Sequence, residues 1–159
     1  TQTEDFTIEN SLREDSFKTL GILNIGGKMY TFYQYPSCST CRKALKFLNE
    51  KEIEFKSVHL VTETPSEEVL KTLLKNSGLP IKKFFNTSGQ KYKELGLKDK
   101  INNMSEDEAI KLLASDGMLI KRPIISDETK VMVGFKEEEW IKLWKGLNDP
   151  FIIYIYKKL

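Results

Sequence analysis

The only two cysteines of the chain, Cys38 and Cys41, are separated by two residues and follow a strand-like segment. That segment, residues 30–35, is rich in aromatic side chains, which favour a pleated backbone, and Pro36 ends it. After the pair in sequence, apolar residues recur at spacings of three and four, which predicts an amphipathic helix. Cys38 is therefore predicted at or just before the first turn of this helix, with Cys41 one turn further on.

A cysteine at the start of a helix has unusual chemistry. Unpaired backbone N–H groups and the positive end of the helix dipole stabilise an anion there. In such positions, and in Cys-x-x-Cys pairs, the thiol pKa falls from about 8.5 to between about 3.5 and 7.5. Arg42 and Lys43 add positive charge that acts in the same direction. The pattern indicates Cys38 as a nucleophile and Cys41 as its resolving thiol.

Three other interpretations of the pair remain. A structural zinc site needs four ligands, and beyond the two cysteines the chain has a single histidine, His59, so we expect no metal. A structural disulfide would constrain the unfolded chain little across a two-residue loop. Two inert core cysteines are the third interpretation. The succession of strand, cysteine pair and helix favours redox or nucleophilic chemistry.

Charge and length exclude some classes of protein. The net charge is +2 over 159 residues, so no broad basic surface for direct nucleic-acid binding is expected. No apolar run is long enough for a signal peptide or a membrane span, and the composition indicates a cytoplasmic protein. Residues 1–28 are expected to be an N-terminal extension or added leader, with a helix packed on the domain as the alternative. Residues 29–145 would form the domain and residues 146–159 a C-terminal tail.

The order of elements predicts an α/β fold. Residues 54–60 alternate between polar and apolar, and a strand, a helix and a strand in succession favour a parallel crossover. Residues 65–117 carry helix signals without a strand between them, which indicates a helical insertion between two halves of the sheet. A hairpin is predicted over residues 119–125 and 131–135. The tryptophans of a final helix, residues 138–144, are expected in the core.

Helix boundaries within the insertion are predicted from capping signals. Thr64 is expected to cap the first of these helices, with Glu67 completing a capping box. Ser105 and Glu108 form a second capping box. Gly117 is expected to be the C-cap of the helix that Ser105 begins.

Arg122 and Pro123 indicate a further part of the site. Proline removes a donor from a strand ladder, so Pro123 is predicted at a bulge, an edge or a cis turn. The guanidinium of Arg122 is always charged and suits oxyanions. If the sheet brings this turn beside Cys38, the thiolate, the helix N–H groups and the guanidinium form an anion pocket that contains a nucleophile. The alternative is a surface arginine.

These motifs together resemble the arsenate reductase-like branch of the thioredoxin superfamily, which Spx- and MgsR-type regulators share. The resemblance runs from Met29 to about Trp144. It rests on Tyr-Pro-Ser-Cys-Ser-Thr-Cys-Arg-Lys, on Lys-Arg-Pro-Ile, and on the motifs at residues 84–89, 112–117 and 133–135. The fold it implies is α/β, a thioredoxin-like mixed sheet with an inserted helical subdomain.

The resemblance also implies an activity. In the glutaredoxin-linked arsenate reductases a cysteine matching Cys38 attacks arsenate, and three arginines hold the anion. Arg122 matches one of them, whereas Asn86 and Gly134 stand at the other two positions. Because each charged hydrogen bond is worth roughly 1.5–3 kcal/mol, weaker oxyanion binding is expected. Cys41 instead favours an internal disulfide with Cys38.

The expected function is therefore that of a thiol–disulfide oxidoreductase acting on arsenate or on mixed disulfides. No bound cofactor is expected, and glutathione, glutaredoxin or thioredoxin would supply electrons. The substrate would be a small thiol or an oxyanion. The residues expected to act are Cys38, Cys41 and Arg122 as catalytic groups, and Ser39, Thr40, Arg42 and Pro123 as substrate-binding groups.

The alternative is a redox-switched regulator of the Spx or MgsR type. Such regulators share the cysteine pair and the Arg-Pro-Ile segment, and bind the RNA polymerase α subunit. Residues 84–89 are more similar to the reductases, and the C-terminal tail is apolar rather than strongly basic.

Overall fold

A four-stranded mixed sheet organises the residues that this computed structural model describes, which are 29–127 and 129–143. The strands are β1 Tyr30–Gln34, β2 Phe55–His59, β3 Ile124–Ser126 and β4 Val131–Val133. Their spatial order is β2–β1–β3–β4, with β1 and β2 parallel and the other neighbours antiparallel. The predicted parallel crossover and the predicted hairpin are both confirmed.

Six α-helices accompany the sheet in the described residues, and four of them lie between β2 and β3. This is the thioredoxin-like α/β sheet with inserted helices that the sequence predicts. The expectations for residues 1–28 and 146–159 lie outside the described residues. The helices are α1 Ser39–Glu50, α2 Glu67–Ser77, α3 Gln90–Glu94, α4 Leu97–Lys100, α5 Glu106–Ser115 and α6 Glu137–Leu143, with 3-10 turns at Ile81–Phe84, Ile101–Asn103 and Gly117–Leu119.

The hydrophobic core lies on both faces of the sheet, because neighbouring strand residues point to opposite sides. On one face, α1 and α6 pack around Trp140, which is fully buried and makes edge-on contacts with Phe32 and Phe47. The core position predicted for Trp140 is confirmed, and Trp144 lies outside the described residues. On the other face, the inserted helices pack on Ile124 and its neighbours.

The first capping prediction is wrong and the second is confirmed. The N-cap of α2 is Ser66, whose hydroxyl oxygen accepts from the Val69 N–H at 3.2 Å. Thr64 instead donates to the Leu60 carbonyl at 2.8 Å, because its hydroxyl closes the turn after β2. At α5 both hydrogen bonds of the Ser105–Glu108 capping box are present.

Gly117 is also not the C-cap that its position predicts. Helix α5 ends at Ser115, Asp116 is its extended C-cap, and Gly117 begins a 3-10 turn. A Cβ atom at Gly117 would overlap the Leu60 carbonyl oxygen and lie 2.6 Å from the carbonyl carbon. Glycine is needed there because the insertion approaches the end of β2 at backbone distance.

None of the helices in residues 29–127 and 129–143 combines the length and apolar character needed to cross a membrane.

Candidate active site

The two cysteines lie at the start of α1, just after the turn that follows β1, as predicted. Cys38 is the N-cap of the helix, with an extended backbone at φ −82° and ψ 124°. Its N–H donates to the Tyr35 carbonyl at 2.9 Å, and its carbonyl accepts from the Arg42 N–H at 3.1 Å. Cys38 is partly exposed, whereas Cys41 has 0% exposure, and both are free thiols. The fold therefore offers only the first sulfur directly to solvent.

The surroundings of Cys38 lower its pKa. Partial burial is the largest single effect and acts in the opposite direction. It is outweighed by the Cys41 backbone N–H, the Cys41 thiol, the Arg122 guanidinium and the Thr40 backbone N–H, all of which favour the thiolate. The backbone N–H groups at the start of the helix therefore favour the ionised form of Cys38.

The surroundings of Cys41 act in the opposite sense. Burial, and then the hydrogen bond and negative charge of Cys38, raise the pKa of Cys41 to about 12. The Tyr35 backbone and the charge of Arg122 offset this only in part. Cys41 therefore stays protonated at neutral pH, beside a sulfur whose surroundings favour its ionised form.

Arg122 is distant from the cysteines in sequence but lies beside Cys38 in the structure. It precedes a cis peptide bond to Pro123, and the Pro123 carbonyl accepts from the Gly134 N–H at 2.7 Å. The guanidinium donates to the Met118 carbonyl at 3.4 Å and lies over the Tyr35 ring, 4.9 Å from its centroid. The hairpin of β3 and β4 thus carries the arginine to the start of α1.

A cavity of about 420 Å³ opens beside Cys38. Its walls come from the start of α1, the loop before α3, the segment before β3 and the segment after β4. Asn86 and Gly134, which the resemblance to the reductases matches to two arginine positions, both line it. The lining residues are Cys38, Thr40, Asn86, Ser88, Gly89, Lys121, Arg122, Val133, Gly134, Phe135 and Lys136.

The structure brings Cys38, Thr40 and Arg122 together at this cavity, with Cys41 buried behind Cys38. Ser39 and Arg42 are exposed on the outer side of α1, and neither is among the lining residues. Their helical positions turn them away from the cavity.

Pro123 is buried and does not line the cavity. Its carbonyl accepts a hydrogen bond from the Gly134 N–H.

Two lining cations, Lys121 and Lys136, were not predicted as site residues. Lys121 stands in the Lys-Arg-Pro-Ile motif, which is a usable signal, whereas no sequence pattern singles out Lys136.

No group of three or more His, Cys, Asp or Glu side chains suited to a metal ion occurs within residues 29–127 and 129–143.

The two thiols are expected to differ sharply in reactivity towards iodoacetamide. Because the pKa of Cys38 is lowered, its alkylation should reach half its maximal rate at a lower pH than in the unfolded chain. Cys41 should stay unmodified in the folded protein until strongly alkaline pH, since burial raises its pKa to about 12. Peptide mass spectrometry of samples alkylated across the pH range measures both, with the urea-unfolded protein as control. Equal profiles for the two thiols in the folded protein would contradict this.

The same shifts have opposite effects on stability. Ionised Cys38 stabilises the fold above the pKa of the unfolded thiol, and this contribution is lost as the pH falls through the lowered folded-state value. Protonated Cys41 stabilises the fold at lower pH, and that contribution is lost as the pH rises through about 12.

Comparison with known proteins shows the family to which the chain is related. Residues 33–143 match the model described as the ArsC family. YusI of Bacillus subtilis, an uncharacterized protein, is 58% identical over 114 residues, which cover 72% of this chain and 97% of YusI. The regulatory protein MgsR of the same organism is 39% identical over 115 residues, which cover 72% of this chain and 90% of MgsR.

Solved structures agree with the sequence comparison. An ArsC family related protein from Bacteroides fragilis superposes with a TM-score of 0.70 at 54% identity, covering 72% of this chain and 96% of that one. An arsenate reductase from Vibrio cholerae superposes with a TM-score of 0.65 at 28% identity, covering 72% and 97%. The extent of the family match and the identity to YusI lead to one conclusion: the chain belongs to the ArsC family.

Proposed function

We propose that this protein is a cytoplasmic thiol–disulfide oxidoreductase in which Cys38 attacks the substrate and Cys41 resolves the intermediate. The observation that carries the proposal is the contrast between the two sulfurs. Cys38 lines the cavity with a lowered pKa, whereas Cys41 is fully buried behind it and protonated. An enzyme of this kind needs one thiolate open to substrate and a second thiol protected from it.

The reaction has two steps. The Cys38 thiolate attacks one sulfur of a disulfide substrate, forms a mixed disulfide and releases the other sulfur as a thiolate. Cys41 then gives up its proton and attacks the Cys38 sulfur, which forms the Cys38–Cys41 disulfide and breaks the bond to the substrate sulfur. The departing sulfur takes up a proton and leaves as the second thiol. The substrate gains two electrons and the cysteine pair loses two. An external dithiol or glutathione then returns these electrons to the pair.

The raised pKa of Cys41 suits this order of events. Two of its causes, the hydrogen bond and the negative charge of Cys38, depend on the free Cys38 thiolate. Both disappear when Cys38 enters a mixed disulfide, while the positive charge of Arg122 remains. The pKa of Cys41 should therefore fall at the step that needs its thiolate.

The cavity favours an anionic organic disulfide over a compact oxyanion. With Asn86 and Gly134 on its wall, two of the three family arginines are absent. The remaining positive charge comes from Arg122 and its neighbour Lys121 before β3, and from Lys136 after β4, around a cavity of about 420 Å³. A substrate whose carboxylates stand apart from its sulfur, such as a glutathione mixed disulfide, matches spread charges better than arsenate does.

We propose Cys38, Cys41 and Arg122 as the catalytic groups and Thr40 as a substrate-binding group. Ser39, Arg42 and Pro123 could act only indirectly.

The Cys41→Ser variant tests the proposal. Treated with oxidised glutathione, it should accumulate glutathione on Cys38, because the resolving step is lost while serine keeps a hydrogen-bond donor beside the thiolate. The wild type should instead collect the Cys38–Cys41 disulfide. Intact-protein mass spectrometry under non-reducing conditions measures both species. The same amount of adduct in both proteins would overturn the resolving role of Cys41.

Turnover completes the test. The wild type should reduce a glutathione mixed disulfide when glutathione, glutaredoxin or thioredoxin is supplied as electron donor, and should reduce arsenate more slowly. Faster reduction of arsenate than of any mixed disulfide would contradict the assignment of substrate class.

A second function is favoured by the identity to MgsR, whose name describes a regulatory protein. The same cysteine pair would then serve as a switch, and the partner would be the α subunit of RNA polymerase. A pull-down with the C-terminal domain of that subunit, under oxidising and reducing conditions, measures this. Redox-dependent binding without disulfide turnover would favour the regulator, and turnover without binding in either state would exclude it.

A further inference from the structure

We propose that the ring of Tyr35 is the positioning residue that holds Arg122 against the cavity and the Cys38 sulfur. The inference rests on the proposed function only in taking Arg122 as the cation of the site. Tyr35 itself does not line the cavity in this structure, so its role would be to act through the guanidinium.

The contacts of Arg122 carry the argument. No carboxylate of residues 29–127 or 129–143 forms an ion pair with it. Its one hydrogen bond to the protein backbone, to the Met118 carbonyl, is long at 3.4 Å. Apart from the Cys38 sulfur, on which the guanidinium acts, its other close contact is the Tyr35 ring, 4.9 Å from the guanidinium carbon, which is within the range of a cation–π contact.

An aromatic support has a consequence that a carboxylate would not have. A carboxylate beside Arg122 would orient it but would also cancel much of its positive field at the Cys38 sulfur and at a bound anion. The face of a ring attracts the guanidinium through its quadrupole and adds no net charge. The arginine therefore stays oriented and keeps its full charge for the thiolate and the substrate.

The ring is itself held in place. It makes a T-shaped contact with His59 at 5.7 Å between centroids. The His59 ring is fixed because its Nδ1 accepts from the N–H groups of Val61 and Thr62 at 3.2 Å each. The Tyr35 backbone also contacts both cysteines, since its carbonyl accepts from the Cys38 N–H and its backbone acts on the Cys41 sulfur. Substitution of the side chain leaves these backbone contacts available.

The experiment compares three side chains at position 35 with the wild type. Tyr35→Phe keeps the ring, Tyr35→Leu removes it, and pentafluorophenylalanine keeps its shape while reversing the sign of the ring quadrupole. The readout is the rate of Cys38 alkylation against pH, which requires neither a disulfide substrate nor turnover. Lys121 and Lys136, the other charged side chains at the cavity, are unchanged throughout.

Tyr35→Phe should alkylate as the wild type does. The leucine and pentafluoro variants should alkylate about two- to tenfold more slowly on the acidic side of the profile, as expected for the loss of one cation–π contact. In an Arg122→Met background the substitutions at position 35 should have no further effect. A pentafluoro profile identical to that of Tyr35→Phe would overturn the proposal even if the leucine variant folds poorly. So would an equal loss with Arg122 absent.

A failure of the positioning role of Tyr35 can be told apart from a failure of the proposed oxidoreductase function. If Tyr35 does not position Arg122, the wild type still turns over a mixed disulfide and Cys41→Ser still traps the adduct. If the protein is not an oxidoreductase, the alkylation profiles still report on the contact between Tyr35 and Arg122.

Discussion

Replacing Cys38 with serine is expected to abolish disulfide reduction, with a loss of at least about a thousandfold in turnover. A serine hydroxyl does not ionise near neutral pH and cannot form the mixed disulfide, so both steps of the proposed reaction stop. Cys41 cannot replace it, because it is fully buried and its pKa is raised to about 12. The measurement is the rate of reduction of a glutathione mixed disulfide with thioredoxin, glutaredoxin or glutathione as donor.

The matched control for this variant is Ser37→Ala. Ser37 is exposed in the same turn, one residue before the nucleophile, and is outside the cavity lining. This control should keep activity close to that of the wild type. Circular dichroism should show that both variants are folded. Undiminished turnover in Cys38→Ser would remove the proposed nucleophile and leave the family fold without this chemistry.

The second large effect is expected on stability, from Gly117→Ala. The added methyl group would overlap the Leu60 carbonyl oxygen, and this neighbour is backbone rather than a flexible side chain. Relief requires the 3-10 turn after α5 to move away from the end of β2, where the larger hydrophobic core is packed. We expect the free energy of unfolding to fall by about 3 kcal/mol, the upper end of the usual cost of overpacking.

Gly96→Ala is the matched control in the same insertion. Gly96 has a positive φ of 62°, but no atom lies within 4 Å of the Cβ it would gain. Its cost should be limited to about 1–2 kcal/mol for the left-handed backbone. Urea unfolding followed by circular dichroism measures both variants. Equal losses would show that Gly117 is not needed for the close approach to Leu60, since only Gly96 of the two has a positive φ.

Part of the candidate site and of the fold can be predicted from short stretches of sequence. The start of α1 is a local feature, because a strand, a turn and a helical repeat within about twenty residues predict that a cysteine will stand at a helix N-terminus. The Ser105–Glu108 capping box is local in the same sense and was predicted correctly. Thr64 was misplaced because Ser66, two residues later, offers the same hydroxyl, and short-range preference does not choose between them.

The sequence by itself determined the strand–cysteine–helix unit, the helical insertion and the parallel-then-hairpin order of the sheet. These depend on residue spacing and on local hydrogen-bonding preference. Only the tertiary structure decided that Arg122 reaches the cysteines and that its guanidinium lies over the Tyr35 ring. It alone brought Gly134, Lys121 and Lys136 to the cavity and Gly117 against Leu60. Each of these contacts joins residues distant in sequence or depends on side-chain direction, so it follows from strand register and helix packing, which no local pattern specifies.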